Sequence, residues 1–374
     1  MKLRMYMLVI GLIGTVILMV SCKERLNKSD GKSMVPAVQH KSTKAIAEYA
    51  ELKAAIRGTA RYAGNPVISH GKAWASRQVH FSIVMIDPAD ASKLIMFYGG
   101  GSCYDNDYAI GRATADVANP YVWIEYAGNP IVTKTDGLKC IVGTHAVIWN
   151  PSDKKFYMYA DAFGEDISQW KYWVGLWTST DGFKFTYQGR VLGPTSPETV
   201  VGGAGVIRED ADHWYMYYCY RTAGATLPGI RCATSSDGIS WTKTGTGDIV
   251  SVSASGYDDT YIEGTQAMKI GNTYVLFYSG HDASENRWTS CLAYSTSPTS
   301  GFTKDTDNPV FIAGSAGQWD SQHVSCTTVG PVNGNPKYLF YQGTNYTDNY
   351  NYALWDMGMA TLALPTAEGR KTCQ

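Results

Sequence analysis

The sequence predicts an all-β chain: a five-bladed β-propeller of four-stranded antiparallel blades, closed by an N-terminal strand and preceded by one short helix. Three observations predict it. A strand-like segment recurs five times at a spacing of about 60 residues: LIMFYGG from Leu94, FYMYADA from Phe156, WYMYYCY from Trp214, YVLFYSG from Tyr274 and KYLFYQG from Lys337. Each copy leads through a polar loop to a third strand, such as IGRATA from Ile110 or MGMATL from Met357, and Asp-Gly turns at Asp181 and Asp237 follow two of these. Finally, AGNPVI at Ala63 nearly duplicates AGNPIV at Ala127 but precedes the first full repeat, whereas the last repeat stops near Leu362. The N-terminal copy is therefore expected to complete the last blade, which removes exposed sheet edges. AGNPIV and DNPVF from Asp307 read as the openings of fourth strands.

Before the propeller, the chain carries three other kinds of segment. Lys2 and Arg4 precede an apolar run from Met5 to Val20 that ends at Ser21 and Cys22, the pattern of an export signal. Residues 1–21 are read as a signal peptide that resembles a bacterial lipoprotein leader, with Cys22 as the lipidation site and the membrane reached through that anchor alone. An uncleaved signal anchor is the alternative, for which the run is short. Residues 22–43 are polar and read as a tether. Residues 44–58 place Ile46, Tyr49, Leu52 and Ile56 at helical spacing, with Thr43 as a cap and Gly58 as the stop. The propeller is expected over residues 59–374.

Composition narrows the partners. Aromatic residues make up 13% of the 374 positions, charged residues 17%, and the net charge is −1. Beyond the leader there is no Lys/Arg run, which argues against nucleic acid as a partner. The eight cysteines include Cys22, and the odd remainder cannot pair completely. Cys219 and Cys232 flank a hairpin connection and could pair across it, or lie buried as thiols. No zinc-type spacing occurs.

In a blade, the first strand begins at the end where the second finishes, so residues at both places crowd one mouth of the central funnel. The stretch Tyr261 to Gly280 sets Glu263 at the head of an apolar strand that returns through Gly271 and Asn272. Aligning the first strands by their apolar residues puts Gln78, Val142, Gly202, Glu263 and His323 at equivalent positions. Second-strand exits add Asp105, Asp107, Asp161 and Arg221, then His281 with Asp282, and Asn345. Trp170, Tyr172, Trp173 and Tyr346 border this mouth. Carboxylates, imidazoles and aromatic faces together suit a sugar site, and the partner expected is an oligosaccharide or polysaccharide.

The run IEGTQAMKIGNTYVLFYS from Ile262, followed by CLAYSTSPTSGFTKDTDNPV from Cys291, resembles glycoside hydrolase family 43 and its five-bladed relatives. That resemblance implies that Glu263 is the general acid. Gln322 to Ser325 are similar to the family's last-blade histidine segment, where the His helps some members hold calcium; His323 is thus the candidate for a structural calcium in the channel, with no cofactor otherwise required. Two positions depart from the family. Its first-blade aspartate, the general base, corresponds to Gln78, and its orienting aspartate falls at or beside Thr144 and His145.

Inverting hydrolysis needs an acid and a base roughly 6.5–9.5 Å apart. With Glu263 as acid, Asp161 is the first choice for base, and Asp320, Asp259 and Asp107 are rivals. His145 is expected to replace the orienting aspartate or to act as acid or base itself. Arg77, Arg221, Gln78, His281, Asp282, Asp259, Asp320 and Trp173 are the expected substrate contacts. The expected activity is a glycoside hydrolase acting on plant or algal oligosaccharides of arabinose, xylose or galactose type. A non-catalytic carbohydrate-binding propeller and a glycoside phosphorylase are the alternatives, and Arg221 would be the anion contact of the latter.

Overall fold

A computed structural model describes residues 47–102, 107–135, 137–164, 171–223, 227–346 and 354–364. The leader, the whole tether with Cys22, Asp105 and Trp170 lie outside these residues. The architecture is all-β apart from one helix: five antiparallel sheets, each running from an inner first strand to a short outer one. The first strands are Gln78–Ile86, Cys140–Asn150, Glu198–Arg208, Tyr261–Ile270 and His323–Gly330, which number the blades 1 to 5. In blade 4 the hairpin turns where expected, Ile270 pairing with Thr273 and Gly271 taking a φ of 56° that a side chain would resist.

The ring closes through the N-terminal segment. Ala60–Arg61 forms the outer strand of blade 5 against Ala360 and Thr361, and Ile68 bridges Met357. The Asn-Pro segments do a different task from the strand opening expected of them. In blade 1 the outer strand, Asn119–Glu125, comes before AGNPIV, and Asn129 then brackets one residue of the third strand. Its Oδ1 accepts from Arg112 N–H at 2.9 Å while its Nδ2 donates to Arg112 O at 2.9 Å. Asn308 holds Leu292 in the same way at 2.8 Å on both sides, and Asn65 holds Met359 at 2.9 and 2.8 Å. A side-chain amide carries one donor face and one acceptor face, so it completes the ladder where the outer strand ends.

The helix spans Tyr49–Arg57, a shorter element than the expected 44–58, because Glu48 is extended (φ −135°, ψ 154°) and occupies the N-cap. Gly58 ends it as expected, and the expected cap Thr43 lies outside the described residues. Its buried face, Leu52, Ala55 and Ile56, packs on Phe311, Leu339 and Leu362 of blades 4 and 5. Tyr49 donates its hydroxyl to Asp305, and Lys53 Nζ reaches Asp305 at 3.0 Å and Asp307 at 2.8 Å.

Every first strand is interrupted at the same level, and that of blade 3 slips a second time between Glu198 and Val200. The residue at the shared level has positive φ: Phe81 (49°), Gly143 (59°), Gly203 (62°), Gly264 (60°) and Cys326 (48°). The register slips around each of these positions, so the bends converge on the axis. The Phe81 ring lies in this waist: a Cβ on Gly143 would stand 2.3 Å from Phe81 Cδ2, which is why a glycine faces it. Behind the waist the opposite mouth opens into a cavity of about 540 Å³ walled by Ile83, Met85, Val147, Trp149 and Met268.

The interruption corrects the alignment of first strands. Counting from it, the equivalents of Glu263 are His80, Val142, Gly202 and Ser325, and Gln78 and His323 stand two residues further toward the mouth. Cys219 and Cys232 do not pair: Cys219 lies opposite Ile230 and Cys232 opposite Tyr217, and both are buried free thiols.

Candidate active site in the central funnel

The funnel floor is built from the residue before each interruption and its partner on the second strand. First strands contribute His80, Val142, Gly202, Glu263 and Ser325; second strands contribute Gly99, Asp161, Cys219, Ser279 and Gln342. Carboxylates occur in this ring at two places, Glu263 of blade 4 and Asp161 of blade 2. Blade 3 stands between them and presents Gly202. A Cβ there would lie 2.4 Å from Tyr172 Cε2 and 2.7 and 2.8 Å from the Asp161 oxygens, so the missing side chain is what admits both groups.

Tyr172 lies within the field of both carboxylates. Its phenol is pushed well above the usual range, first by burial and then by the charges of Asp161 and Glu263, with the Arg221 guanidinium acting in the opposite direction. A phenol held neutral donates a hydrogen bond. The thiols of Cys219 and Cys326 flank the same acid: burial raises both, and the Glu263 charge is the next cause in each.

Asp161 also has a structural task. Gly203 N–H donates to its Oδ1 at 3.0 Å and lies 3.3 Å from Oδ2. Ser279 accepts from Cys326 N–H at 2.7 Å in the same place of blade 4, so in blades 2 and 4 this row ties the second strand to the interruption of the next blade. His145 Nε2 stands 3.3 Å from Asp161 Oδ2 without the alignment of a hydrogen bond. Its ring packs 4.3 Å from Phe81, with His80 on the other side of that phenylalanine at 4.4 Å. His80 is fully enclosed, and burial, helped by His145, lowers its pKa to about 3.

The remaining candidates separate into mouth and scaffold. Arg77 and Arg221 stand partly buried at the mouth, Arg221 opposite Val200. Gln78 Oε1 accepts the Tyr108 hydroxyl at 2.6 Å. Asp107 caps Ser102 N–H at 2.7 Å, Asp259 caps Ala283 N–H at 2.9 Å, and Asp282 caps Ser284 N–H at 2.8 Å, so these three close turns. Asp320 is scaffold: buried, it receives Arg61 Nε at 2.8 Å and the Tyr341 hydroxyl at 3.0 Å, clamping the closing strand. Trp173 turns from the funnel toward the outer strand, its Nε1 donating to Tyr187 at 3.3 Å; its neighbour Tyr172 takes the funnel side. Asn345 and Tyr346 are exposed.

His323 sits at the mouth, where its Nδ1 accepts Trp288 N–H at 3.3 Å. Its surroundings do not suit calcium, which takes about six to eight oxygen ligands. The charged neighbours are His281 and Arg287, and among the described residues no three His, Cys, Asp or Glu side chains gather as a metal set. The sequence drew no attention to His80, Ser279, Cys326 or Arg287. For His80 a signal existed, since it holds the place of Glu263 once Phe81 is matched to Gly264.

The fold is one that glycosidases use. A glycosyl hydrolase from Bacteroides ovatus is similar over 83% of this chain and 96% of its own, with a TM-score of 0.62 at 16% identity. The catalytic domain of a family 62 α-L-arabinofuranosidase from Coprinopsis cinerea is similar over 80% and 95%, with a TM-score of 0.56 at 12% identity. A third structure belongs to work on family 130 mannoside phosphorylases that include hydrolases of β-1,2 mannosidic linkages in Candida mannan; it covers 81% and 93%, with a TM-score of 0.59 at 15% identity. At these identities the likeness concerns the fold. No family model and no curated protein sequence matches the chain.

Proposed function

We propose that this protein is a glycoside hydrolase, with Glu263 as the acid that protonates the leaving oxygen and Asp161 as the carboxylate across the funnel that acts on water. One observation carries the reading. The two carboxylates of the floor ring come from blades 2 and 4, on either side of blade 3, whose bare Gly202 leaves room for Asp161 and Tyr172, and the charges of both act on the Tyr172 phenol. Inversion is the outcome this arrangement suits if the carboxyl groups stand roughly 6.5–9.5 Å apart, leaving room for a water. Tyr172, as a neutral donor, would hold a sugar hydroxyl or the Asp161 carboxylate, and His145 behind Asp161 would position it. The substrate class is an oligosaccharide from plant or algal polysaccharide, with arabinose-, xylose- and galactose-type linkages as the first to try. The leader and Cys22 further suggest an exported lipoprotein held at a membrane; metabolic labelling with palmitate, lost in Cys22→Ser, tests that.

A carbohydrate-binding role without turnover is the second reading. It is favoured by the amide at Gln78 and by the structural use of Asp161, whose counterpart Ser279 makes the same bond. Turnover on an oligosaccharide panel separates the two. Release of reducing sugar that falls at least a hundredfold in Glu263→Gln supports hydrolysis; binding without release in the unaltered protein supports the second reading. Release that requires inorganic phosphate would instead indicate phosphorolysis.

A further inference from the structure

We infer that the wall of the funnel mouth formed by blades 4 and 5 is a subsite for the carboxylate of an acidic sugar, a uronate, lying next to Glu263. The inference rests on the sugar-site reading and specifies the substrate class. Three rows of the sheet carry it. Tyr261 precedes Glu263 by two residues on the same strand face, about 7 Å toward the mouth, which is comparable to one pyranose unit. Tyr261 pairs with His281, and His281 with Trp288. Their rings form one cluster, His281 standing 5.5 Å from Tyr261 and 5.0 Å from Trp288. Trp288 N–H in turn donates to His323 Nδ1, which leaves the imidazole proton on Nε2, where His323 is a donor. Arg287 begins the adjoining third strand.

The donors of the wall are the Arg287 guanidinium and the His323 Nε2–H. His281 Nε2 lies 3.3 Å from Asn286 Oδ1, which holds the ring proton there, so the buried Nδ1 is an acceptor and His281 serves the wall as a packing ring. Asp259 and Asp282 each have an oxygen engaged with backbone N–H groups of residues 283 to 285. The carboxylate that reaches Arg287 is Glu285, at 3.5 Å and with 60% of its side chain exposed, a contact that a ligand can displace. Neutrality of His323 has a second support: burial, then His281 and Arg287, lower its pKa to about 4. A guanidinium fork beside the His323 Nε2–H matches the paired oxygens of a carboxylate better than it matches hydroxyl groups. Sulfate esters and inorganic phosphate share that oxyanion chemistry; the planar fork and the single arginine favour the carboxylate.

Calorimetry on the full chain at pH 7 tests this, with D-glucuronate, D-glucose, glucose 6-sulfate and inorganic phosphate as probes. Glucuronate is expected to bind at least tenfold more tightly than glucose. Arg287→Gln should remove that advantage, Arg287→Lys should restore part of it, and Lys269→Gln, at the opposite mouth, should leave it intact. Thermal melts of each variant exclude misfolding. Equal binding of glucose and glucuronate overturns the subsite, as does tighter binding of sulfate or phosphate than of glucuronate. Glu263→Gln separates this outcome from that of the hydrolase reading. Arg287-dependent glucuronate binding with no cleavage of any glycoside leaves the subsite standing and removes the hydrolase; cleavage of neutral oligosaccharides without a preference for glucuronate does the reverse.

Discussion

Gly202→Ala is the most direct perturbation of the proposed centre, because it adds one methyl group to the space that Asp161 and Tyr172 occupy. Gly202 has no positive φ, so alanine meets no backbone penalty there. The new Cβ would instead stand 2.4 Å from the Tyr172 ring and 2.7 Å from Asp161 Oδ1, so at least one of these must retreat by about 1 Å to reach ordinary contact. Such overpacking costs about 1–3 kcal/mol. The same retreat disturbs the Asp161 bond to Gly203 N–H, and a displacement of about 1 Å in a catalytic group lowers the rate on the order of a hundredfold. Steady-state kcat/KM on the best substrate from the panel, with a thermal melt beside it, reads both effects. Gly245→Ala, where nothing lies within 4 Å of the added atom, is the control. An alanine variant with unchanged kcat/KM and unchanged Tm would show that Asp161 and Tyr172 do not depend on the bare backbone of blade 3, and the proposed pairing across it would fail.

Other expectations concern the scaffold and pH. Asp320→Asn should lower stability by about 2 kcal/mol, the scale of a hydrogen bond to a charged group, while leaving kcat/KM within twofold; a large loss of activity at unchanged stability would return Asp320 to the site. Asn129→Ala removes both bonds to Arg112 and should cost about 1–3 kcal/mol in urea denaturation, and a neutral result would mean that the bracket contributes nothing. His80 and His323 have folded pKa values of about 3 and about 4, below the roughly 6.5 of an unfolded histidine. Below that value the unfolded chain takes up protons that the folded one refuses. The contribution is therefore intact above about pH 6.5 and is lost as pH falls toward 4, by up to about 1.4 kcal/mol per pH unit for each histidine. Urea midpoints between pH 7 and 4.5 should fall along this slope and fall less steeply in His323→Gln; an equal slope in the variant would contradict the burial argument.

Blade number, strand order and ring closure were legible because hydrophobic alternation and turn residues are local, and five copies reinforce one another. The level at which each first strand breaks was legible only where glycine marks it, at Gly143, Gly203 and Gly264. Phe81 and Cys326 adopt the same left-handed backbone without a glycine, so blades 1 and 5 were aligned two residues out and Gln78 and His323 took the places of His80 and Ser325. Trp173 and Tyr172 are adjacent aromatics in a strand, and pleating sends them to opposite faces; which one enters the funnel depends on register, which composition does not reveal.

Sequence alone thus determined the propeller fold and put forward Glu263 and Asp161 as candidates, since each rests on a repeated pattern or a residue type out of place in a strand. Only the tertiary structure decided which carboxylates belong to the floor of the funnel and which clamp the ring. Asp320 and Asp161 look alike as letters, but one is enclosed beside Arg61 and Tyr341 and the other lies against the bare Gly202, taking Gly203 N–H. The reason is physical: a carboxylate's task is set by the donors around it, and in a propeller those donors come from other blades, dozens to hundreds of residues away in the chain.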